Sequence, residues 1–373
     1  MATDKPIRVA IVGLGFGAEF IPIYQAHPDA ELVAINRRSK ADLDECGDRW
    51  KIATRYTEFA DVLKDPNIDA VHINSPIADH AWQTIAALEA GKHVACTVPM
   101  ATSIEDCGKI VAARRKSGKI YMMMETVVYS REYLFVKELY DTGELGRIQF
   151  LRGSHQQDMA GWPGYWEGLP PMHYATHCVS PCLAILGKHA EHVVCHGSGR
   201  IDEALIPKYG SPFAIETATF KFRESDVCAE VTRSLFNTAR QYRESFDAYG
   251  SRQSFEWQQV EGEEPVIHTL GKPEPEIPCR VAVPDFASRL PEPIQRFTTK
   301  GVYDTEGETH LSFVQGGGHG GSHPHLVNAW LSAIKGERPA LPDAETSANW
   351  TMVGICAHES AMNGGEKVVI PTF

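Results

Sequence analysis

Hydrophobic and polar positions repeat at two different periods along this chain, and the change falls near residue 126. Up to Met124, apolar runs at 7–12, 31–35, 69–74, 92–97 and 119–124 read as strands, separated by stretches of helical periodicity such as 79–90 and 103–117. Gly91 and Gly118 stop these two helices, and Thr102 followed by Glu105 forms a capping box that opens the second near 103. This alternation predicts an α/β chain with a parallel, doubly wound sheet, whose ligands lie beyond the carboxyl ends of its strands. Past a helix over about 130–141, segments near 148–158, 192–200, 213–222, 226–235, 244–250 and 253–260 alternate at the strand period and are joined by loops. They predict an α+β unit with an open, mostly antiparallel sheet. Frequent Pro and Gly between 261 and 320 predict an irregular excursion with one short strand; helices over 323–335 and 344–362 close the chain. The expected domains are 1–126 for a nucleotide and 127–373 for substrate and self-association, with helices 323–362 packing back toward the first.

Within the first unit, Ile7–Phe20 runs from a strand through Gly13, Gly15 and Gly17 into a helix starting at Ala18. Gly13 permits a sharp turn, Gly15 lets a pyrophosphate approach bare backbone, and Ala18 leaves room for helix against strand. A glycine-rich turn alone is weak, but strand, turn and helix at the start of a βαβ unit predict a dinucleotide site. Pro22, just past the first turn, predicts a kink. The second strand ends at Asn36 where NAD-binding chains place a carboxylate on the ribose. Asn36 can bond a 2′-hydroxyl, while Arg37 and Arg38 admit the 2′-phosphate of NADP. Further strand ends at Asn74-Ser75-Pro76, Thr97-Val98-Pro99 and Glu125-Thr126 complete the expected edge of the site.

The chain has 373 residues and a formal charge of −12 without a basic cluster, which argues against nucleic acid or an anionic membrane as partner. No apolar run approaches a membrane span and no signal peptide is visible, so a cytoplasmic protein is expected. Nine scattered cysteines fit free thiols better than a disulfide framework.

The stretches HINSPIADH and HVACTVPMATSIEDC at successive strand ends, followed by the second sheet, resemble the glucose-fructose oxidoreductase and inositol dehydrogenase superfamily (Gfo/Idh/MocA), with its Rossmann domain. Many members carry Glu-Lys-Pro where this chain has Thr97-Val98-Pro99, so the usual lysine is absent. That substitution, with MMMETVVYSRE (122–132), MHYATHCVSP (172–181) and GGGHGGSH (316–323), is similar to the NAD-dependent glycosidases typified by α-N-acetylgalactosaminidase. Where that branch has tyrosine, and histidine two residues on, this chain has His155 and Gln157, so a related but different glycoside is implied. The resemblance implies bound NAD, with cofactor contacts at Gly13, Gly15, Phe16, Gly17, Asn36, Arg37, Arg38, Asn74, Ser75, His80, Thr97, Pro99 and Glu125. It also implies redox-neutral hydrolysis: oxidation at sugar C3, loss of the C2 proton, elimination of the aglycone from C1, addition of water and re-reduction. Two rivals are a net NAD(P)-dependent sugar 3-dehydrogenase and a non-catalytic nucleotide sensor.

Such chemistry needs groups that titrate near neutrality. His173 and His177, four apart, would share a helix face with Tyr174 near its edge; by motif, Tyr174 and His177 are the inherited pair, with His177 the base nearest the nicotinamide. Glu125 reaches ribose or a substrate hydroxyl, and His155 replaces the missing tyrosine. Trp162, Tyr165 and Trp166 would stack on a sugar face; Arg233 and Arg240 would meet an acidic substituent, and His319 lies in a loop that approaches the ligand. The spacing of His173 and His177, extended by His319, His323 and His325, is also that of metal ligands, but no Glu follows His173 as in zinc hydrolases, and no metal is expected. A small-molecule glycoside and a homo-oligomer are the expected partners.

Overall fold

The computed structural model describes residues 5–159, 168–240, 242–271, 278–299 and 317–373. Its first sheet has six parallel strands: β1 (Ile7–Val12), β2 (Ala30–Asn36), β3 (Thr54–Tyr56), β4 (Ala70–Ile73), β5 (His93–Thr97) and β6 (Tyr121–Met124). Their spatial order is β3-β2-β1-β4-β5-β6, so the direction of winding reverses between β1 and β4, and the crevice above that point is where a dinucleotide lies. Every residue of β4 and β6 is buried, as helices on both faces require. Helices α1 (Ile21–Ala26), α2 (Lys40–Arg49), α3 (Phe59–Lys64), α4 (His80–Glu89) and α5 (Ile104–Ser117) connect the strands. The cap of α5 is Ser103, whose Oγ accepts the Asp106 N–H at 3.1 Å, one residue beyond the expected Thr102–Glu105 pair.

The turn after β1 is tight. Gly13 has φ of +84° and donates its N–H to Asn36 O at 3.0 Å; a Cβ there would stand 2.6 Å from the Asn74 carbonyl. Gly13→Ala is therefore expected to cost about 2 kcal/mol of stability and to weaken NAD binding, read by denaturant titration with and without NAD⁺. A Cβ at Gly15 would meet nothing within 4 Å, which leaves that side of the turn open. The close contact with the strand falls on Gly17, whose Cβ would lie 3.0 Å from Ile11 Cγ2, and not on the expected Ala18. The helix expected from Ala18 is a 3₁₀ turn over Phe16–Phe20, and α1 starts at Ile21. Pro22 thus sits in the first turn of α1, where its missing N–H costs nothing, and it kinks no helix interior.

The second sheet has nine strands: β7 (Ile148–Gln156), β8 (Ala190–Ser198), β9 (Ile215–Phe222), β10 (Cys228–Ser234), β11 (Arg243–Gly250), β12 (Gln253–Glu256), β13 (Val266–Thr269), β14 (Cys279–Arg280) and β15 (Val368–Val369). In the order β14-β13-β12-β11-β7-β10-β9-β8-β15, every neighbouring pair is antiparallel except β7 with β10. The excursion expected to hold one short strand holds two, β13 and β14, among its described residues. Helices α6 (Arg131–Asp141), α7 (Thr176–Leu186), α8 (Ile206–Tyr209), α9 (Ser322–Ile334) and α10 (Ala344–Met362) complete the chain. Helix α7 lies on β7, and α10 packs against α5, α7 and β8, so one apolar core runs from the first sheet to the second. Among the described residues no helix is long and apolar enough to cross a membrane.

Candidate active site

Register puts the first part of the site together. On the second sheet Glu244, His155, Arg233 and Glu216 are direct neighbours across β11, β7, β10 and β9, so they form one polar row on one face. His155, Arg233 and Glu216 have no exposure at all. The 3₁₀ turn Pro171–Tyr174 and the start of α7 lie against this row. Arg233 donates from Nε to Tyr174 O at 3.0 Å and from Nη2 to Gln157 Oε1 at 2.8 Å, with further contacts to the carbonyls of His155 and Ser234. Glu216 accepts the Met172 N–H at 2.9 Å. Neighbouring positions of one sheet thus hold both ends of the turn that presents Tyr174.

From the other side comes Glu125, fully buried at the carboxyl end of β6. Its Oε1 lies 2.7 Å from His177 Nδ1 and accepts the Val127 N–H at 3.1 Å. A proton on Nδ1 donated to Glu125 leaves Nε2 facing Tyr174 Oη at 3.4 Å and Glu244 Oε1 at 3.6 Å. Burial alone would push His177 down, but the carboxylates of Glu125 and Glu244 outweigh it and hold the imidazole above its ordinary value. Burial likewise pushes Glu244 up, yet His177 and His319 hold it well below the usual carboxylate range. Tyr242 donates to Glu244 Oε1 at 2.5 Å, and His319 Nδ1 lies 3.2 Å from the same oxygen. The His155 ring is 5.0 Å from that of His177, and among the described residues neither His155 nitrogen has a hydrogen-bond partner. Burial, reinforced by Arg233 and His177, keeps His155 far below its ordinary value, hence neutral.

The link to the glycine turn runs through aromatic rings. Phe16 stands 5.8 Å from His319, and His319 stacks at 6.0 Å on His177. Asn36 donates from Nδ2 to Tyr56 O at 2.8 Å, so its oxygen remains for a ribose hydroxyl. Arg37 is paired with Asp42 at 2.6 Å, and Arg38 is exposed. Asn74 donates to His72 O, and its buried Oδ1 has no hydrogen-bond partner among the described residues. His80 bridges Ser75 O at 2.9 Å and Pro99 O at 2.8 Å, and its Nε2 lies 3.4 Å from Thr97 Oγ1. It ties the β4 and β5 ends together and offers no free nitrogen to a cofactor. The open side of Gly15, the Asn36 oxygen and the orphaned Asn74 Oδ1 all suit a dinucleotide at this edge.

Other expected residues lie elsewhere. His173 does not share a helix face with His177, because the Pro171–Tyr174 turn ends before α7 begins at Thr176. Its ring meets His358 at 5.2 Å, and burial pushes it down to about 4. Arg233 is fully buried and its guanidinium is engaged by the carbonyls of Tyr174, His155 and Ser234 and by Gln157; Arg240 donates to Gln259 O at 2.6 Å. His323 packs on Phe20 at 4.6 Å; His325 is buried, which pushes it down to about 4. Among the described residues no group of three His, Cys, Asp or Glu is placed to hold a metal ion. Trp162, Tyr165 and Trp166 lie outside the described residues. Glu244 and Tyr242 carry no signal of their own in the sequence, because Arg243, Ser245 and Asp247 make the same strand polar at several positions.

A parallel sheet with this turn and strand order defines an NAD-binding Rossmann scaffold, and residues 7–125 match the family described as "Oxidoreductase family, NAD-binding Rossmann fold". The matching model is that of the Gfo/Idh/MocA family, and the match covers the unit built on the first sheet. Over 398 aligned positions it is 23% identical to a "Glycosyl hydrolase family 109 protein" of Shewanella baltica, covering 98% of this chain and 85% of that protein. It is 22% identical, with the same coverage, to an "Alpha-N-acetylgalactosaminidase" of Shewanella oneidensis. Among solved structures, an oxidoreductase from Agrobacterium radiobacter in complex with NAD⁺, L-tartaric acid and magnesium superposes with a TM-score of 0.78 at 17% identity, covering 98% of this chain and 99% of that one.

Proposed function

We propose that this chain is an NAD-dependent glycoside hydrolase, with residues 1–126 as its nucleotide domain and 127–373 as its substrate domain. The observation that carries this reading is the buried Glu125–His177–Tyr174 chain of contacts at the end of β6, with the unpartnered His155 beside it. Bound NAD⁺ supplies a reversible hydride acceptor, so that C3 of the sugar is transiently a ketone. His177 Nε2 takes the C3 hydroxyl proton, and Glu125 steadies the resulting imidazolium. The ketone acidifies the C2 proton, which passes to a free nitrogen of His155 while the C1–oxygen bond breaks and the aglycone leaves. Water then adds at C1, its proton going to the departed aglycone oxygen, and the protons held on His155 and His177 return to C2 and to the C3 oxygen as the ketone is reduced again. Arg37 is already committed to Asp42, whose carboxylate would oppose a 2′-phosphate, and this supports NAD over NADP. Thr97-Val98-Pro99 offers no lysine to polarise the hydroxyl, which leaves that task to His177.

The test is incubation with aryl glycosides in D2O without added cofactor. Aglycone release with deuterium at C2 and no NADH accumulating is the expected result. NADH build-up with an intact glycosidic bond would identify a 3-dehydrogenase instead, and no turnover of any glycoside would leave only nucleotide binding.

A further inference from the structure

Beside Glu244 and His319 opens a cavity of about 370 Å³ whose wall includes Glu132, Tyr242, Arg243 and Gln258. Glu132, in the first turn of α6, is only 9% exposed. Its Oε1 accepts Gln258 Nε2 at 3.2 Å, but among the described residues its Oε2 has no hydrogen-bond partner, and neither do Gln258 Oε1 and Arg243 Nε, all three being buried atoms. Gly320, with φ of +60°, packs close to this carboxylate, where a Cβ would stand 3.1 Å from Glu132 Oε2. A buried polar atom left unpaired is destabilising, so three around one cavity point to a ligand that pairs them.

The orphans are of both kinds, two acceptors and one donor. An ammonium group would leave Arg243 unpaired, and a carboxylate would leave Glu132 and Gln258 unpaired. A hydroxyl group both donates and accepts, so a few of them pair all three. We propose that Glu132, Gln258 and Arg243 form a subsite for a neutral, hydroxyl-bearing group, the second sugar of a disaccharide-like substrate, held beyond the ring that reacts at His177. This rests on the reading that the reacting sugar lies at His177. Burial, with the Glu244 charge nearby, raises the Glu132 carboxyl, which also favours a neutral occupant.

The experiment measures binding by calorimetry on protein loaded with NADH, in which the first oxidation cannot start. The probes are maltose, lactose and melibiose, the matching methyl glucosides and galactosides, and the matching methyl uronides and methyl aminoglycosides. At least one disaccharide is expected to bind about tenfold tighter than its methyl glycoside. Glu132→Ala and Glu132→Gln should remove that gain while leaving methyl glycoside binding within twofold and the circular dichroism unchanged. Methyl uronides and aminoglycosides should bind no tighter than the neutral methyl glycosides. Equal binding of disaccharide and methyl glycoside, a gain that survives Glu132→Ala, uronides or amines preferred over neutral probes, or no binding by any probe would each overturn the proposal. A protein that passes this test but releases no aglycone in D2O refutes the hydrolase reading and leaves the subsite standing.

Discussion

His177→Ala is expected to lower kcat by about 10²- to 10⁴-fold, the range for loss of a positioned proton acceptor. Position, not basicity alone, gives the effect its size. Glu125 anchors Nδ1 at 2.7 Å, which fixes the ring and turns Nε2 toward Tyr174 and Glu244. Because alanine would strand the buried Glu125 carboxylate, His177→Gln serves as the second variant, and circular dichroism checks the fold of both. The pH profile tests the same assignment. His177 is held above its ordinary value chiefly by Glu125 and Glu244 against burial, and only the neutral imidazole accepts a proton. Activity should therefore fall on the acid side along a limb placed above pH 6.5, and Glu125→Gln should shift that limb toward lower pH. Normal turnover by His177→Gln, or an acid limb unmoved in Glu125→Gln, would remove His177 from its assigned role.

The legible parts of this molecule are those whose signal is local. Helix α10 spans residues 344–362, the range expected from periodicity, because Asp343 caps it through a 2.9 Å bond to the Thr346 N–H and a long apolar face follows. The parallel, doubly wound sheet follows from alternation plus the glycine turn. Three-residue β3, half-exposed at the sheet edge, was too short to register. His173 was misplaced because i, i+4 spacing means one face only inside one helix, and Pro170-Pro171 delays α7 until Thr176. Glu244 is the instructive omission. Nothing in RESFDAYG marks it, and its importance comes from lying opposite His155, a register set by tertiary pairing that a single chain does not display. Arg233 shows the converse error, since a cation legible in sequence was assigned to a substrate anion while the fold uses it on its own carbonyls.

That use gives Arg233 the largest expected effect on stability. Arg233→Met should cost about 3–5 kcal/mol, because removing the guanidinium leaves Tyr174 O, His155 O, Ser234 O and Gln157 Oε1 short of donors in a dry interior. Burial pulls the group down to about 10, so it is charged at neutral pH and its hydrogen bonds are of the stronger, charge-assisted kind. A lysine keeps the charge but cannot reach several diverging acceptors from one nitrogen. Arg233→Lys should accordingly recover part of the stability in denaturant titration, yet remain well below wild type in kcat, because the turn no longer holds Tyr174 Oη near His177 Nε2. KM for the aryl glycoside should change far less than kcat, since the side chain faces the turn and not the cavity. If Arg233→Lys restored kcat fully, the forked contact with the Tyr174 turn would be a feature of folding with no part in positioning the site.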